Sequence, residues 1–195
     1  ISYLPEEEED GEETARWIEE AGRKALLLPG DIQDEGWCRE LVQRTVDEFG
    51  GLDVLVNNAA YQMTLDESLE SLTTEQLERT YRTNLFALFW ITKAALGHLR
   101  PGSTVINSAS IQAYQPSPHL LDYASTKAAI VNITKNLSQS LVDKGIRVNA
   151  VAPGPIWTPL IPATMDEDKV EGFGGQTPYG RAGQPAELAP AYVFF

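Results

Sequence analysis

The sequence predicts an α/β fold in which a doubly wound parallel sheet carries helices on both faces. Short, continuously apolar segments alternate along the chain with longer segments whose apolar residues recur at helical spacing. Strands of this kind are typical of parallel sheets, because the crossover helices bury both faces of the sheet. The 195 residues contain no repeat and no linker, so we expect one domain over residues 1–195.

The first half of the chain predicts two helix–strand pairs. An acidic helix over 12–22 leads into a short apolar strand over 24–28. Residues 35–49 carry apolar side chains three and four positions apart, which predicts an amphipathic helix. The apolar run 53–56 is a strand that ends in small and polar residues.

The second half repeats the alternation with longer helices. Apolar residues recur at helical spacing from Leu77 to Leu96, and they predict one long helix. Pro and Gly concentrate in 155–180, which we expect to form an irregular flap. The predicted elements of this half are helix 74–99, strand 104–107, helix 123–142, strand 146–151, flap 155–180 and the start of a last helix at 184–195.

Composition excludes several classes of function. The net charge of -13 argues against nucleic-acid binding, which needs a basic surface. Much of this charge lies in residues 6–20, which contain nine acidic residues and one arginine. We interpret this run as a solvated helix start and predict no metal site there. No apolar stretch has membrane-spanning length and no signal peptide is visible. The single cysteine, Cys38, allows no intrachain disulfide, so we expect a cytoplasmic protein.

Three residues form a candidate catalytic set. Ser110 follows the predicted strand 104–107, at the strand end where open α/β sheets bind ligands. Tyr123 and Lys127 are four residues apart and therefore share one face of a helix. A cation beside a phenol favours the phenolate, so we expect Lys127 to lower the pKa of Tyr123. Taken alone, the Tyr-Lys pair is also compatible with a solvated helix face.

Further motifs follow one another along essentially the whole chain. They are Asp31 in Pro-Gly-Asp-Ile, Asn57-Asn58-Ala59-Ala60 with Ala60 in place of a glycine, Asn84 in Arg-Thr-Asn-Leu, the set Ser110, Tyr123 and Lys127, and Pro153-Gly154-Pro155-Ile156 with Thr158. In this order they resemble the motifs of the short-chain dehydrogenase/reductase family. Three segments near the start of the chain, near Tyr123 and after Gly154 resemble a bacterial branch labelled glucose 1-dehydrogenase-like or general aldehyde/ketone oxidoreductase.

The resemblance implies a Rossmann-type fold and an NAD(P)-dependent oxidoreductase that acts on a small alcohol, carbonyl compound or sugar. It implies Asn84, Ser110, Tyr123 and Lys127 as catalytic residues, with Tyr123 as general acid and base, and Ser110, Gln112 and Tyr123 as substrate contacts. The implied cofactor residues are Asp31, Ile32, Asn58, Ala59, Ala60, Tyr123, Lys127, Pro153, Gly154, Ile156 and Thr158.

The sequence departs from the family at both ends. The first strand and the glycine-rich turn that holds the pyrophosphate are absent, and the last strand is absent too, so we expect an incomplete portion of a longer protein. The missing strand would leave a gap beside strand 53–56, with unpaired backbone groups that cost about 1–3 kcal/mol each. The acid that selects NAD is replaced by Tyr3-Leu4, so NAD and NADP both stay open.

Two other functions stay open as well. A catalytically silent dinucleotide-binding protein would share the fold, although it would not need all four catalytic residues. An inactive remnant of the family is the other alternative. The partners expected are a small-molecule substrate and further copies of the chain in a homodimer or homotetramer, with no nucleic acid and no membrane.

Overall fold

The structure is a computed structural model that describes residues 1–66, 69–164, 170 and 172–195. The strands are β1 (Ser2–Tyr3), β2 (Leu28–Pro29), β3 (Val54–Asn57), β4 (Thr104–Ser108) and β5 (Arg147–Val151). The helices are α1 (Glu8–Glu20), α2 (Glu35–Phe49), α3 (Thr74–Tyr81), α4 (Ala87–Ala95), α5 (Leu121–Leu141), α6 (Leu160–Thr164) and α7 (Pro185–Phe194). A π-helical turn, Arg82–Phe86, joins α3 to α4.

Most predicted elements are confirmed within two residues, and α2 matches its predicted bounds. Two differ. The strand predicted over 24–28 is reduced to β2, because its partner β1 is only two residues long and pairs only with Leu28 and Pro29. The long helix predicted over 74–99 is interrupted by the π-helical turn around Asn84, and it ends at Ala95.

The α/β class with parallel strands is confirmed, but the described strands form two sheets. β1 pairs with β2 in one, and β3, β4 and β5 lie side by side in the other, all in parallel register. A cavity of about 660 Å³ is bordered by β1 on one side and β3 on the other. The gap expected beside strand 53–56 is therefore present, and Val54 and Val56 of β3 are 53% and 43% exposed.

The main core lies between the three-stranded sheet and helices α2, α4 and α5. All five residues of the central strand β4 are buried. Cys38 belongs to this core, and its thiol donates to the Ile32 carbonyl. Successive strand residues point to opposite faces of a sheet. Asn107 accordingly donates to Thr134 of α5, whereas Ser108 contacts Tyr192 of α7 on the other face.

The segment predicted as a flap is described apart from residues 165–169 and 171. Its base is closed by a parallel bridge between Ile156 and Gly183. Trp157 and Phe173 lie against each other, with ring centroids 6.3 Å apart. No helix in the described part of the chain is both long and apolar enough to cross a membrane.

Candidate active site

The parallel strands bring their carboxyl ends to one edge of the three-stranded sheet. Asn58 directly follows β3, and Ser110 lies two residues beyond β4. The loop after β5 reaches the same place, because the Ile111 amide donates to the Pro153 carbonyl at 2.8 Å. In open α/β sheets this edge is where ligands bind.

Helix α5 places Tyr123 and Lys127 one turn apart beside Ser110, as predicted. The Lys127 Nζ lies 5.3 Å from the centroid of the Tyr123 ring. Both side chains are buried, with 8% of Tyr123 and 2% of Lys127 exposed, which excludes the solvated helix face. The Lys127 ammonium donates to the backbone carbonyl of Ser108 at 2.7 Å.

Burial shifts the pKa of both groups toward their neutral forms. Burial raises the pKa of Tyr123 above its ordinary value, and the hydroxyl of Ser110 offsets part of this rise. Burial lowers the pKa of Lys127 to about 8. The expectation that the pKa of Tyr123 lies below its ordinary value is therefore wrong for this structure, because loss of solvent outweighs the hydrogen bond with Ser110.

The amide of Asn84 fastens the π-helical turn to two other segments. Its Oδ1 accepts from the Tyr61 amide at 2.7 Å, and its Nδ2 donates to the Tyr61 carbonyl and to Thr126 on α5. Both ends of the side chain are thus bonded to protein groups. π-helical turns of this kind are frequent at functional sites, since they displace one backbone carbonyl from the helical ladder.

A buried carboxylate holds α3 against the start of α5. Thr80, which is fully buried, donates to Asp122 Oδ2 at 2.6 Å, and Gln76 donates to the same oxygen at 3.3 Å. Asp122 directly precedes Tyr123, so this contact joins the helix that leads into Asn84 to the helix that carries Tyr123. No local pattern in the sequence predicts the pair of Thr80 and Asp122, because the two residues are 42 positions apart.

Two cavities meet at this edge of the sheet. The second, of about 610 Å³, is lined by Ser110, Gln112, Tyr123 and Lys127. It shares four lining residues with the first cavity, namely Asn58, Ala59, Ala60 and Ser108. Every predicted site residue therefore lines one cavity or both. Those not yet placed are Asp31, Ile32 and Asn84, which line the first cavity, and Pro153, Gly154, Ile156 and Thr158, which line the second.

Where the first cavity reaches the carboxyl end of β3 it joins the second, and this junction forms a trough that suits a dinucleotide; the rest of the first cavity is the gap between β1 and β3. One end lies at Asp31 and Ile32, and the other at Tyr123. The middle is lined by the small residues Ala59 and Ala60, which let an extended ligand approach the backbone closely. Lys127 has three N–H donors, of which Ser108 accepts one, so the others remain available for hydroxyl groups in the second cavity.

Ser108 and Tyr192 also line the candidate site, and neither is predicted from the sequence. Both line the second cavity. Ser108 could have been found from strand periodicity, because it lies two residues before Ser110 and so points to the same side. Tyr192 lies one helical turn after Leu188 and Ala189, which line the same cavity, but nothing local places that turn against β4.

Comparisons with known proteins agree with this geometry. A family profile described as "Enoyl-(Acyl carrier protein) reductase" matches residues 1–195. The chain is 57% identical to an uncharacterized oxidoreductase, YhdF, of Bacillus subtilis over 193 residues, which are 99% of this chain and 66% of the relative. It is 46% identical to the chloroplastic NADPH-dependent aldehyde reductase 1 of Arabidopsis thaliana, over 97% of this chain and 67% of that one.

A solved structure of a short-chain dehydrogenase has a closely similar fold. A short-chain dehydrogenase from Burkholderia cenocepacia in complex with NADP superposes with a TM-score of 0.89 at 30% identity, covering 100% of this chain and 78% of that one. The chain spans about two thirds of the length of the curated relatives it matches. By sequence, fold and the arrangement of its site, the chain belongs to the short-chain dehydrogenase/reductase family.

Proposed function

We propose that the protein is an NAD(P)-dependent oxidoreductase that transfers a hydride between a nicotinamide cofactor and a small alcohol or carbonyl substrate. The observation that carries this proposal is the burial of Ser110, Tyr123 and Lys127 around one cavity at the carboxyl end of the sheet. A phenol, a hydroxyl and an ammonium can together bind a carbonyl oxygen and supply its proton.

The cofactor supplies or accepts the hydride, and the protein handles the proton and the developing charge. In reduction, the Tyr123 hydroxyl gives its proton to the substrate oxygen, and in oxidation it takes one back. Ser110 donates a hydrogen bond to the same oxygen. Lys127, with its pKa lowered to about 8, can lose and regain a proton close to physiological pH, so it can resupply Tyr123.

Asn84 enters the proposal through its backbone. Its side chain is already bonded to Tyr61 and Thr126, so a water in the proton path would bind the carbonyl that the π-helical turn displaces. The main chain at the π-helical turn would then perform the catalytic role that the family resemblance implies for Asn84. Lys127 is the group that this water would connect to solvent.

Both coenzymes stay in the proposal. The first cavity is lined near Tyr3 by the acidic side chains of Glu6 and Glu7, and also by the cationic Arg79. Acids suit ribose hydroxyls, and an arginine suits a 2′-phosphate, so these charges favour neither coenzyme. The Arabidopsis relative and the Burkholderia structure carry NADPH and NADP in their names, and an assay with both coenzymes decides the preference.

The second cavity indicates an uncharged substrate. Of the described residues that line it, Lys127 is the one with a charged side chain, and the walls are apolar residues such as Leu160, Ile161 and Phe173. Gln112 lines the same cavity, and its Oε1 accepts from the Ser117 amide, so its NH₂ group can face the substrate. A neutral aldehyde, ketone or sugar fits this lining better than an anionic substrate does.

The same proposal includes a single domain over 1–195 with its flap over 155–180, a cytoplasmic location and a homodimer or homotetramer. The oligomer is supported by the exposure of Phe86 and Phe89, which are 44% and 50% exposed. Aromatic side chains at neighbouring positions of one helical segment are typical of an interface. A silent dinucleotide-binding protein is the alternative function, and the test below separates the two.

The test is the Tyr123→Phe variant, made in the protein expressed from its full reading frame. Turnover of NADH or NADPH is followed by absorbance against a panel of aldehydes, ketones and sugars. We expect turnover to fall at least about 100-fold, because a general acid contributes that much, while coenzyme affinity changes little. Tyr114→Phe, at a residue 61% exposed, is the matched control for loss of a phenol hydroxyl.

Substantial turnover in Tyr123→Phe would disprove the assigned role of Tyr123. A wild-type protein that binds coenzyme and turns over no substrate of the panel would favour the silent binder. A wild-type protein that binds neither coenzyme would overturn the proposed function as a whole.

A further inference from the structure

A hydrogen-bonded chain runs from helix α7 to the junction of the two cavities. The Tyr192 hydroxyl lies 2.6 Å from Ser108 Oγ. Ser108 Oγ in turn donates to Asn58 Oδ1 at 2.8 Å. These three residues come from α7, the end of β4 and the loop after β3, so the chain joins three separate elements of the fold.

The direction of each proton follows from simple counting. A serine hydroxyl has one proton, and the proton of Ser108 is donated to Asn58. Tyr192 must therefore be the donor in its own contact with Ser108. An orientated chain results, in which Tyr192 donates to Ser108 and Ser108 donates to the carbonyl oxygen of the Asn58 amide.

This chain determines which end of the Asn58 amide faces the trough. Its Oδ1 is held toward Ser108, so Nδ2 points away, and no described residue accepts a hydrogen bond from it. Asn58 is exposed and lines both cavities at their junction. The trough consequently presents an N–H donor at its middle, where a hydroxyl or phosphate oxygen of a dinucleotide would accept.

We propose that Tyr192 is a positioning residue of the cofactor site, which acts through Ser108 to hold the Asn58 amide as a donor toward the dinucleotide. The proposal rests on the proposed function, since it needs a dinucleotide in the trough. Tyr192 does not touch the reacting atoms in this scheme.

The structure separates this role from that of Lys127. Lys127 binds the backbone carbonyl of Ser108, whereas Tyr192 binds its side-chain hydroxyl. Removal of the Tyr192 hydroxyl leaves the carbonyl, and therefore the Lys127 contact, in place. The expected effect falls on coenzyme affinity and not on the rate of the chemical step.

The experiment compares Tyr192→Phe with the wild type, both expressed from the full reading frame. The dissociation constant of NADPH and of NADH is measured by nicotinamide fluorescence without substrate, and KM and kcat are measured separately. We expect roughly fivefold weaker binding of the preferred coenzyme and a higher coenzyme KM, with kcat within about twofold, as for loss of one hydrogen bond. Tyr179→Phe, at a residue 90% exposed, is the matched control.

A second variant tests the hydrogen-bonded path from Tyr192 through Ser108 to Asn58. Ser108→Ala removes the middle hydroxyl and keeps the carbonyl, so it should weaken coenzyme binding by a similar factor. The double variant should lose no more coenzyme affinity than the weaker-binding single variant, because the two hydroxyls act in one series of hydrogen bonds. Ser108→Ala alone also tests the chain if Tyr192→Phe does not fold.

Wild-type coenzyme affinity in a folded Tyr192→Phe variant, or in Ser108→Ala, would overturn the inference and leave the proposed function standing. Losses that multiply in the double variant would overturn it too, because they would show two independent contacts. A fall in kcat with unchanged affinity would place Tyr192 in the chemical step and contradict the positioning role. A wild-type protein that binds neither coenzyme would overturn the inference together with the proposed function.

Discussion

The buried ammonium of Lys127 should make the stability of the protein depend on pH in the alkaline range. Lys127 is 2% exposed, and burial lowers its pKa from 10.5 in solvent to about 8 in the folded chain. Below pH 8, both the folded and the unfolded state carry the proton, so the folded state bears the full cost of the buried charge. Between pH 8 and 10.5 the folded state gives up the proton first, and this cost is removed.

The size of the effect follows from the two pKa values. A difference of about 2.5 between 10.5 and about 8 corresponds to about 3 kcal/mol at 1.36 kcal/mol for each unit of pKa. Stability rises with pH over this range, because the unfolded state binds more protons than the folded state. A Lys127→Met variant has no such group, so its stability relative to the wild type should decline by about 3 kcal/mol from pH 7 to 10.5.

The assay is urea denaturation of the cofactor-free protein, wild type and Lys127→Met, at intervals from pH 7 to 10.5. The difference between the two free energies of unfolding cancels the titration of all shared groups. Lys135→Met, an exposed lysine two turns further along α5, is the matched control for loss of one lysine. A difference between wild type and Lys127→Met that stays constant within about 0.5 kcal/mol would refute the reasoning.

Two further predictions concern the flap and the oligomer. Gly174 has a φ of +80°, and a Cβ there would lie 2.2 Å from the Ala182 nitrogen, so Gly174→Ala should lower the free energy of unfolding in urea by more than about 2 kcal/mol. Gly172 has open space around its Cα, so Gly172→Ala should lower it by less than about 0.5 kcal/mol. Equal losses in the two variants would contradict the close approach at Gly174. Light scattering of the wild type should give the mass of two or four chains, and a monomeric wild type would disprove the oligomer. The Phe89→Glu variant should give a lower mass, because a charge at this half-exposed aromatic position disfavours an interface.

The order of elements and most of the residues that line the candidate site were accessible from the sequence, because they depend on local pattern and on the family motifs. Helix α2 has its predicted bounds, since one amphipathic stripe lies between an N-capping Asp34 and a left-handed Gly50. Tyr123 and Lys127 share a face because the period of the helix requires it. The family motifs then assign a set of residues, all of which line the two cavities.

The interruption at Asn84 was not accessible in this way. The periodicity from Leu77 to Leu96 is that of one continuous helix, and it contains no proline or glycine that would mark a break. The π-helical turn accompanies hydrogen bonds from Asn84 to Tyr61 and Thr126, residues 23 and 42 positions away. Contacts at such separations leave no trace in local hydrophobic pattern.

The sequence by itself determined the α/β class, the alternation of elements, and the residue types and spacing of the candidate catalytic set. Only the tertiary structure decided the pKa shifts of that set and the hydrogen bond that joins helix α7 to Ser108 beside it. The pKa shifts of Tyr123 and Lys127 come from burial, which depends on everything packed around them and not on their spacing. Tyr192 reaches Ser108 across 84 residues for the same reason: the packing of α7 on the sheet, and no local rule, places one hydroxyl beside the other.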